Sequence, residues 1–66
     1  MAGRVTGREK QVLKLVREGL SNKEIAFELN LSIHTIENHL SKIYRKLQVK
    51  DRHEAIETAC TKGILY

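Results

Sequence analysis

The clearest pattern in the chain is the helical spacing of apolar residues in the segment 31–47, LSIHTIENHLSKIYRKL. Ile36, Leu40, Ile43 and Leu47 follow one another at intervals of four, three and four residues, which places them on one stripe of an α-helix. The opposite side of this predicted helix carries polar side chains: His34, Glu37, Asn38 and Ser41. Most polar helix faces only meet water, so other features of the chain decide whether this one has a binding role.

Start and stop signals divide the remaining chain into three further helices. Three segments match the capping-box pattern or its aspartate variant: Thr6-x-x-Glu9, Ser21-x-x-Glu24 and Asp51-x-x-Glu54. Residues that readily take the left-handed backbone conformation stand at expected helix ends: Gly19, Asn30 and Gly63. We therefore predict helices at roughly residues 7–18, 22–29, 32–47 and 52–62.

Each predicted helix has an apolar side that can face a shared core. Outside the third helix the expected core residues are Val12, Leu13, Leu15 and Val16, then Ile25, Ala26 and Leu29, then Ala55, Ile56, Ala59 and Cys60. No alternating run of β-branched residues indicates a strand. The sequence predicts an all-α domain resembling a four-helix bundle.

The composition narrows the class of protein. Sixty-six residues form one small domain with a modest core. No apolar run reaches membrane-spanning length and no signal-peptide core follows Met1, so we expect no membrane partner.

Cys60 is the only cysteine, which excludes an internal disulfide and favours a reducing, cytoplasmic setting. Its spacing from the three histidines does not fit a zinc site, and we expect neither metal nor cofactor.

The second and third predicted helices have the spacing of a helix-turn-helix. They are joined by about three residues, so they must cross steeply. Ala26 is small enough for the two axes to approach, Asn30 can make the bend, and Leu31 can plug the corner. In this arrangement the second helix of the pair enters the major groove of DNA and its N-terminal part meets base edges. Residues 32–47 are thus the predicted recognition helix.

Positive charge is concentrated beside this helix. The chain has a net charge of +4, and residues 40–52 alone contribute +4, with five basic side chains against Asp51. A basic patch on one element is typical of a protein that binds a phosphate backbone. We expect Lys42, Arg45 and Lys46 to contact phosphates.

The start of the third helix differs from the other starts. Ser32 is a good N-cap, but Thr35 stands where the other helices have glutamate. The first turn, Ile33-His34-Thr35, contains no acid, which leaves the positive end of the helix dipole available to an outside anion. The alternative is that Thr35 is an ordinary helical residue.

The polar face of the third helix has side chains suited to reading bases. Asparagine can bind an adenine edge with two hydrogen bonds, and glutamate can accept from cytosine N4. We therefore expect His34, Glu37, Asn38 and Ser41 to face bases. The alternative for Glu37 is a local pair with Ser41 or Lys42.

Residues 5–60 resemble the LuxR-type DNA-binding domain, the C-terminal module of quorum-sensing regulators and of NarL/FixJ-type response regulators. The motifs that carry the resemblance are Thr6-x-Arg8-Glu9, Gly19-x-x-Asn22-Lys23-Glu24-Ile25-Ala26, Ser32-x-x-Thr35-Ile36-x-x-His39, Lys46-Leu47 and Arg52-x-Glu54-Ala55. The family has four helices, reads DNA with the third and commonly dimerises through the fourth. Two positions depart from its pattern: Glu37 replaces a usual Lys or Arg, and Val5 replaces a usual leucine.

The resemblance implies roles for further residues. Lys23 and Thr35 match phosphate contacts, and Ser32 joins them as the cap of the recognition helix. Arg8 and Glu9 are similar to the family's structural ion pairs, and His39 suits either packing or a phosphate contact. In the helix 52–62, Ala55 and Ala59 are small enough for a second copy to approach, and we expect a weak homodimer contact there.

Competing functions have less support in the sequence. An RNA-binding domain would need aromatic side chains on its binding face, whereas this chain has only Phe27, Tyr44 and Tyr66. Phe27 would serve a protein-interaction module of the transcription machinery, with RNA polymerase as the partner. No arrangement of residues typical of an enzyme is present. We expect residues 1–4 to be a disordered N-terminus or a cloning remnant, and residues 5–66 to form the DNA-binding domain.

Overall fold

The computed structural model describes residues 4–65, which form four helices. They are α1 (Gly7–Arg17), α2 (Asn22–Leu29), α3 (Ile33–Leu47) and α4 (Arg52–Thr61). No strand occurs in this part of the chain, so the predicted all-α fold is confirmed. Of residues 1–4, which we expected to be a disordered N-terminus or a cloning remnant, residues 1–3 lie outside the described residues, as does Tyr66.

Two of the three predicted capping boxes form completely. The Thr6 amide donates to Glu9 Oε1 at 2.8 Å while the Glu9 amide donates to Thr6 Oγ1 at 3.2 Å. Ser21 and Glu24 repeat this exchange at the start of α2. The third box is half formed. Asp51 Oδ1 accepts from the Glu54 amide at 2.9 Å, but Glu54 Oε2 accepts from the Lys50 amide at 3.3 Å instead.

The predicted helix ends at Gly19, Asn30 and Gly63 have the expected positive φ values. At Asn30, with φ 57° and ψ 44°, the chain leaves α2, and the Leu31 amide closes the bend by donating to the Ala26 carbonyl at 2.8 Å. Leu31 is half-buried against the core. These contacts produce the predicted helix-turn-helix of α2 and α3. Gln48 ends α3 with the same left-handed backbone, which the sequence did not predict.

The core lies between all four helices, and α3 contributes its predicted stripe to it. Fully or nearly fully buried apolar residues are Val12, Leu13, Val16, Ile25, Ala26, Ile36, Leu40, Ile43, Leu47, Ala55, Ala59 and Leu65. Three predicted core residues, Leu15, Leu29 and Ile56, are half-buried against this cluster. Cys60 was wrongly assigned to the core, since its side chain is exposed on the outer side of α4.

The small residues of α4 have a different role from the predicted one. Ala55 and Ala59 are 0% exposed, because α4 packs this side against α1 and α3. A second copy of the chain cannot reach them without opening the core, so the prediction that these two residues form a dimer contact is wrong.

No helix in the described range 4–65 is both long and apolar enough to cross a membrane.

Candidate nucleic-acid interface

One side of α3 is exposed and carries most of the predicted binding residues. We call this side the reading face, and it consists of His34, Asn38, Ser41, Lys42 and Arg45, all exposed. It lies opposite the buried stripe that begins at Ile36. The fold therefore turns His34, Asn38 and Ser41 outward as predicted, and Lys42 and Arg45 join them on the same side.

The first turn of α3 contains no acid and is capped by a pair of hydroxyl groups. Ser32 Oγ accepts from the Thr35 amide at 3.0 Å and lies 2.8 Å from Thr35 Oγ1. Whichever hydroxyl donates in this pair, one hydroxyl proton remains for another acceptor. No acid occupies the turn, whereas Glu9, Glu24 and Glu54 occupy the first turns of the other helices. The predicted contrast between α3 and the other helices is thus present.

Glu37 is at the edge of the reading face and pairs differently from both expected neighbours. Its Oε1 lies 3.9 Å from His34 Nδ1, one turn earlier on α3, rather than beside Ser41 or Lys42. The two side chains are 57% and 84% exposed, so the pair is worth little in water and leaves the carboxylate accessible.

Lys46 is held in an ion pair and is not part of the reading face. Its Nζ donates to Glu9 Oε1 at 2.7 Å and to the Arg4 carbonyl at 3.0 Å. The Lys46 side chain is only 20% exposed and that of Glu9 only 4%. We therefore correct the predicted phosphate contact of Lys46, because its charge is neutralised between α1 and α3. Arg8, in contrast, is exposed, and no ion pair involving it occurs within residues 4–65.

This ion pair changes the titration of Glu9. Burial by itself favours the neutral carboxyl group, but hydrogen bonds from Lys46 and Thr6 and the attraction of the Lys46 charge outweigh it. The pKa of Glu9 is therefore lowered below its usual value. The pKa of Glu24 is lowered too, by its hydrogen bonds with Ser21.

A groove on one flank of α3 contains residues that sequence reasoning missed. We call it the α2-side groove. It is open, has a volume of about 570 Å³, and lies between the start of α2, the flank of α3 and the start of α4. Among its lining residues are Lys23, which was predicted, and Tyr44 and Arg52, which were not. Arg52 also donates a hydrogen bond to Asn22 Oδ1. No sequence signal pairs residues 22 and 52, because only the packing of α4 brings them together.

Two other residues singled out in the sequence have simple surroundings. His39 is half-buried on the flank of α3, which fits the packing role. Phe27 is 85% exposed on α2, far more than the other apolar side chains of the described residues. A single exposed apolar side chain is ordinary on a protein surface, and Phe27 does not by itself form an apolar patch.

Comparison with known proteins agrees with this architecture. The model of the family described as bacterial regulatory proteins, luxR family, matches residues 4–59. The chain is 48% identical over 62 residues to the transcriptional regulatory protein DesR of Bacillus subtilis (strain 168). That match covers 94% of this chain and 31% of DesR, so the chain spans about a third of this relative's length.

Two solved structures have the same fold. The response regulator ChrA of a heme-sensing two-component system superimposes with a TM-score of 0.93 at 35% identity, over 96% of this chain and 31% of that one. The transcription factor GerE gives a TM-score of 0.88 at 36% identity, over 92% of this chain and 91% of that one. The family is one of regulators rather than enzymes, as the sequence indicated. The chain therefore belongs to the luxR family of bacterial regulatory proteins, as a helix-turn-helix DNA-binding domain of that family.

Proposed function

We propose that this domain binds double-stranded DNA sequence-specifically by inserting α3 into the major groove, as the DNA-binding part of a bacterial transcriptional regulator. The observation that carries the proposal is the reading face. It combines exposed cations with an asparagine on the side of α3 directly opposite the core, and the helix begins without an acid. A helix about 10–12 Å across fits a major groove about 12 Å wide.

Phosphate contacts are assigned to the exposed cations and to the start of the recognition helix. Lys42 and Arg45 are exposed on α3, and Lys23 is exposed at the start of α2. The spare hydroxyl proton of the Ser32–Thr35 pair supports a further contact. Each phosphate that such a group neutralises steepens the dependence of log affinity on log salt by about 0.9.

Base contacts are assigned to the other polar residues of α3. Asn38 is best placed to bind an adenine edge, while Glu37 is able to accept from cytosine N4. His34 and Ser41 flank them. Glu37→Lys is expected to raise non-specific affinity and to change the preferred sequence, because it removes a charge that repels phosphates.

Assembly on DNA is proposed as two copies bound to half-sites about 10 base pairs apart. Since Ala55 and Ala59 are buried, a second copy would meet the outer side of α4, where His53, Glu57 and Cys60 are exposed. His53 Nε2 and Glu57 Oε2 are 3.9 Å apart there. Because this surface is polar, we expect the domain to be a monomer in dilute solution. The contact between two copies would form only when DNA holds them next to each other.

A contact with RNA polymerase is a second candidate function, supported by the exposure of Phe27 on α2. This ring lies on a helix other than the recognition helix, so the domain could present it while bound to DNA. We also infer a cytoplasmic location, where a bacterial chromosome is accessible to such a regulator.

Selection of bound sequences from a random duplex pool tests the proposal. A recurring motif with one or two half-sites is expected, and duplex DNA of the selected sequence should bind more tightly than scrambled duplex. If the selection enriches no motif, and recovered and scrambled duplexes bind with equal affinity, the domain binds DNA only non-specifically. Absence of salt-dependent binding to any duplex would contradict the DNA-binding proposal itself.

A further inference from the structure

The α2-side groove borders the reading face directly, because Glu37 and Ser41 line the groove and also stand at or beside that face. When a helix fills the major groove, its two flanks face the two phosphate backbones. A duplex whose bases reach Ser41 therefore brings the backbone of one strand along this flank of α3. The groove is consequently a place where DNA backbone, rather than a small molecule, would lie.

The side chains that line the groove suit a phosphate group. Two of them are cationic, Lys23 and Arg52, while Glu37 is the only acid. The Glu37 carboxylate is on the side of the reading face, within 3.9 Å of the His34 imidazole. Hydroxyl groups capable of donating to a phosphate oxygen are also present in the lining: Ser21, Ser41 and Tyr44.

Arg52 is held in place before any ligand arrives. One of its N–H groups donates to Asn22 Oδ1, and the residue is half-buried at the start of α4. A guanidinium has five N–H donors, so several remain after this bond. Its planar fork matches two oxygens of a phosphate, and an anchored side chain loses less conformational entropy on binding than a free one.

We propose that Arg52 and Lys23 bind one DNA backbone phosphate in the α2-side groove, with the Tyr44 hydroxyl as a further donor. The fourth helix thereby contributes directly to DNA binding, in addition to its part in the core. The hydrogen bond to Asn22 fixes the guanidinium at the start of α2, next to Lys23. This inference rests on the proposed function and adds to it a phosphate-binding residue outside the helix-turn-helix.

The test measures the salt dependence of binding by fluorescence anisotropy, using the duplex obtained by selection and a scrambled duplex. Arg52→Gln and Lys23→Gln should each weaken binding to both duplexes similarly and reduce the slope of log affinity against log salt. The double variant should reduce the slope by about 0.9, because the two cations share one phosphate. Tyr44→Phe keeps the ring and should lower affinity without changing the slope. Arg8→Gln is the matched control, because Arg8 is exposed on α1 and α1 contributes no residue to the groove.

Thermal unfolding separates binding from folding. If Arg52→Gln lowers the melting temperature but keeps the wild-type slope in conditions where it is folded, Arg52 only joins α4 to α2 and the inference is wrong.

If Arg52→Gln does not fold, the variant Arg52→Lys is measured in its place. That variant keeps the charge and loses the fork, so lower affinity at an unchanged slope is expected and wild-type affinity would overturn the inference. Wild-type protein that binds no duplex would overturn the proposed function as well. If Asn38→Ala and Lys23→Gln weaken DNA binding but Arg52→Gln does not, only this inference is wrong.

Discussion

Lys42 and Lys46 are one turn apart on the same helix, yet they have different surroundings. Lys42 is exposed on the reading face, with its charge open to solvent. Lys46 is one turn later, and its ammonium group lies between Glu9 Oε1 at 2.7 Å and the Arg4 carbonyl at 3.0 Å. In sequence both count equally toward the basic patch of residues 40–52. A count of basic side chains in the sequence therefore overstates the charge available for DNA binding wherever the fold pairs a basic residue with a carboxylate.

Glu9 explains why the two lysines differ. Its Oε1 accepts from the Thr6 amide at 2.8 Å, which completes the N-terminal cap of α1, and the same atom accepts from Lys46. One carboxylate therefore caps α1 and also fixes the far part of α3 against it. No carboxylate within residues 4–65 pairs with Lys42, which is exposed, so its charge faces solvent.

The largest effect should come from removing the Lys46 charge. Lys46→Met leaves Glu9 buried without its cation, and we expect the free energy of unfolding to fall by about 3 kcal/mol, since breaking a buried pair typically costs 3–5 kcal/mol and this pair is slightly exposed. Urea denaturation followed by circular dichroism measures this loss. Lys42→Met is the matched control and should change stability by less than about 0.5 kcal/mol. Equal losses in both variants would remove the distinction between the two lysines.

A smaller effect, confined to binding, is expected from Asn38→Ala on the reading face. It should reduce discrimination at one or two base pairs by about 1–3 kcal/mol and leave the other positions of the site unchanged. Competition with duplexes that carry single base-pair changes measures this. A uniform loss on every duplex would mean that Asn38 contacts the backbone and reads no base.

The titration of Glu9 predicts a modest acid sensitivity. The pKa of Glu9 is lowered in the folded chain, so the ionised carboxylate stabilises the fold at pH values above its unfolded-state pKa, near 4.5. This contribution disappears as the pH falls through the lower, folded-state pKa. Glu9→Gln should be less stable than wild type at pH 7 and should lose less stability between pH 5 and pH 3. Parallel stability curves for the two proteins over that range would show that the ion pair has no energetic weight.

The smallest effect is expected at Phe27. Since its ring is 85% exposed, Phe27→Ser should change stability by no more than about 0.5 kcal/mol, and DNA affinity should stay within about twofold. Stability and anisotropy measurements check both statements. Retained DNA binding with reduced transcription activation in a reconstituted polymerase assay would support the protein-contact role. A large loss of DNA affinity would instead place Phe27 in the DNA-binding surface.

The fold was predictable because its signals are local. The capping residues Thr6 and Ser21 and the stripe on α3 each act within a few positions, and all were confirmed. The end of α3 at Leu47 was predicted, but the left-handed conformation of Gln48 was not, because a glutamine carries no local signal for it. The position of Cys60 on the outer side of α4 was missed for a related reason. Ala55 and Ala59 form the fully buried stripe of α4, and Cys60, one position after Ala59, lies about 100° further round the helix and is exposed.

The binding surface was predictable only in part. The residues of α3 that face outward follow from the periodicity of one helix, which needs no knowledge of the other helices. The pairing of Lys46 with Glu9 joins residues 37 positions apart, and the bond between Arg52 and Asn22 spans 30 positions. No local motif in the sequence indicates that either pair of residues lies close together in the fold. The roles of Lys46 and Arg52 therefore depended on the packing of α1 and α4 around α3.

The comparison of salt slopes for Lys42→Gln and Lys46→Gln tests the central claim, that the exposed face of α3 binds DNA while its buried flank supports the fold. Affinity for the selected duplex is measured by anisotropy at several salt concentrations, at a temperature where both variants are folded. The account predicts that Lys42→Gln reduces the slope of log affinity against log salt by about 0.9, whereas Lys46→Gln leaves it at the wild-type value. An unchanged slope for Lys42→Gln, or an equal reduction for Lys46→Gln, would contradict it.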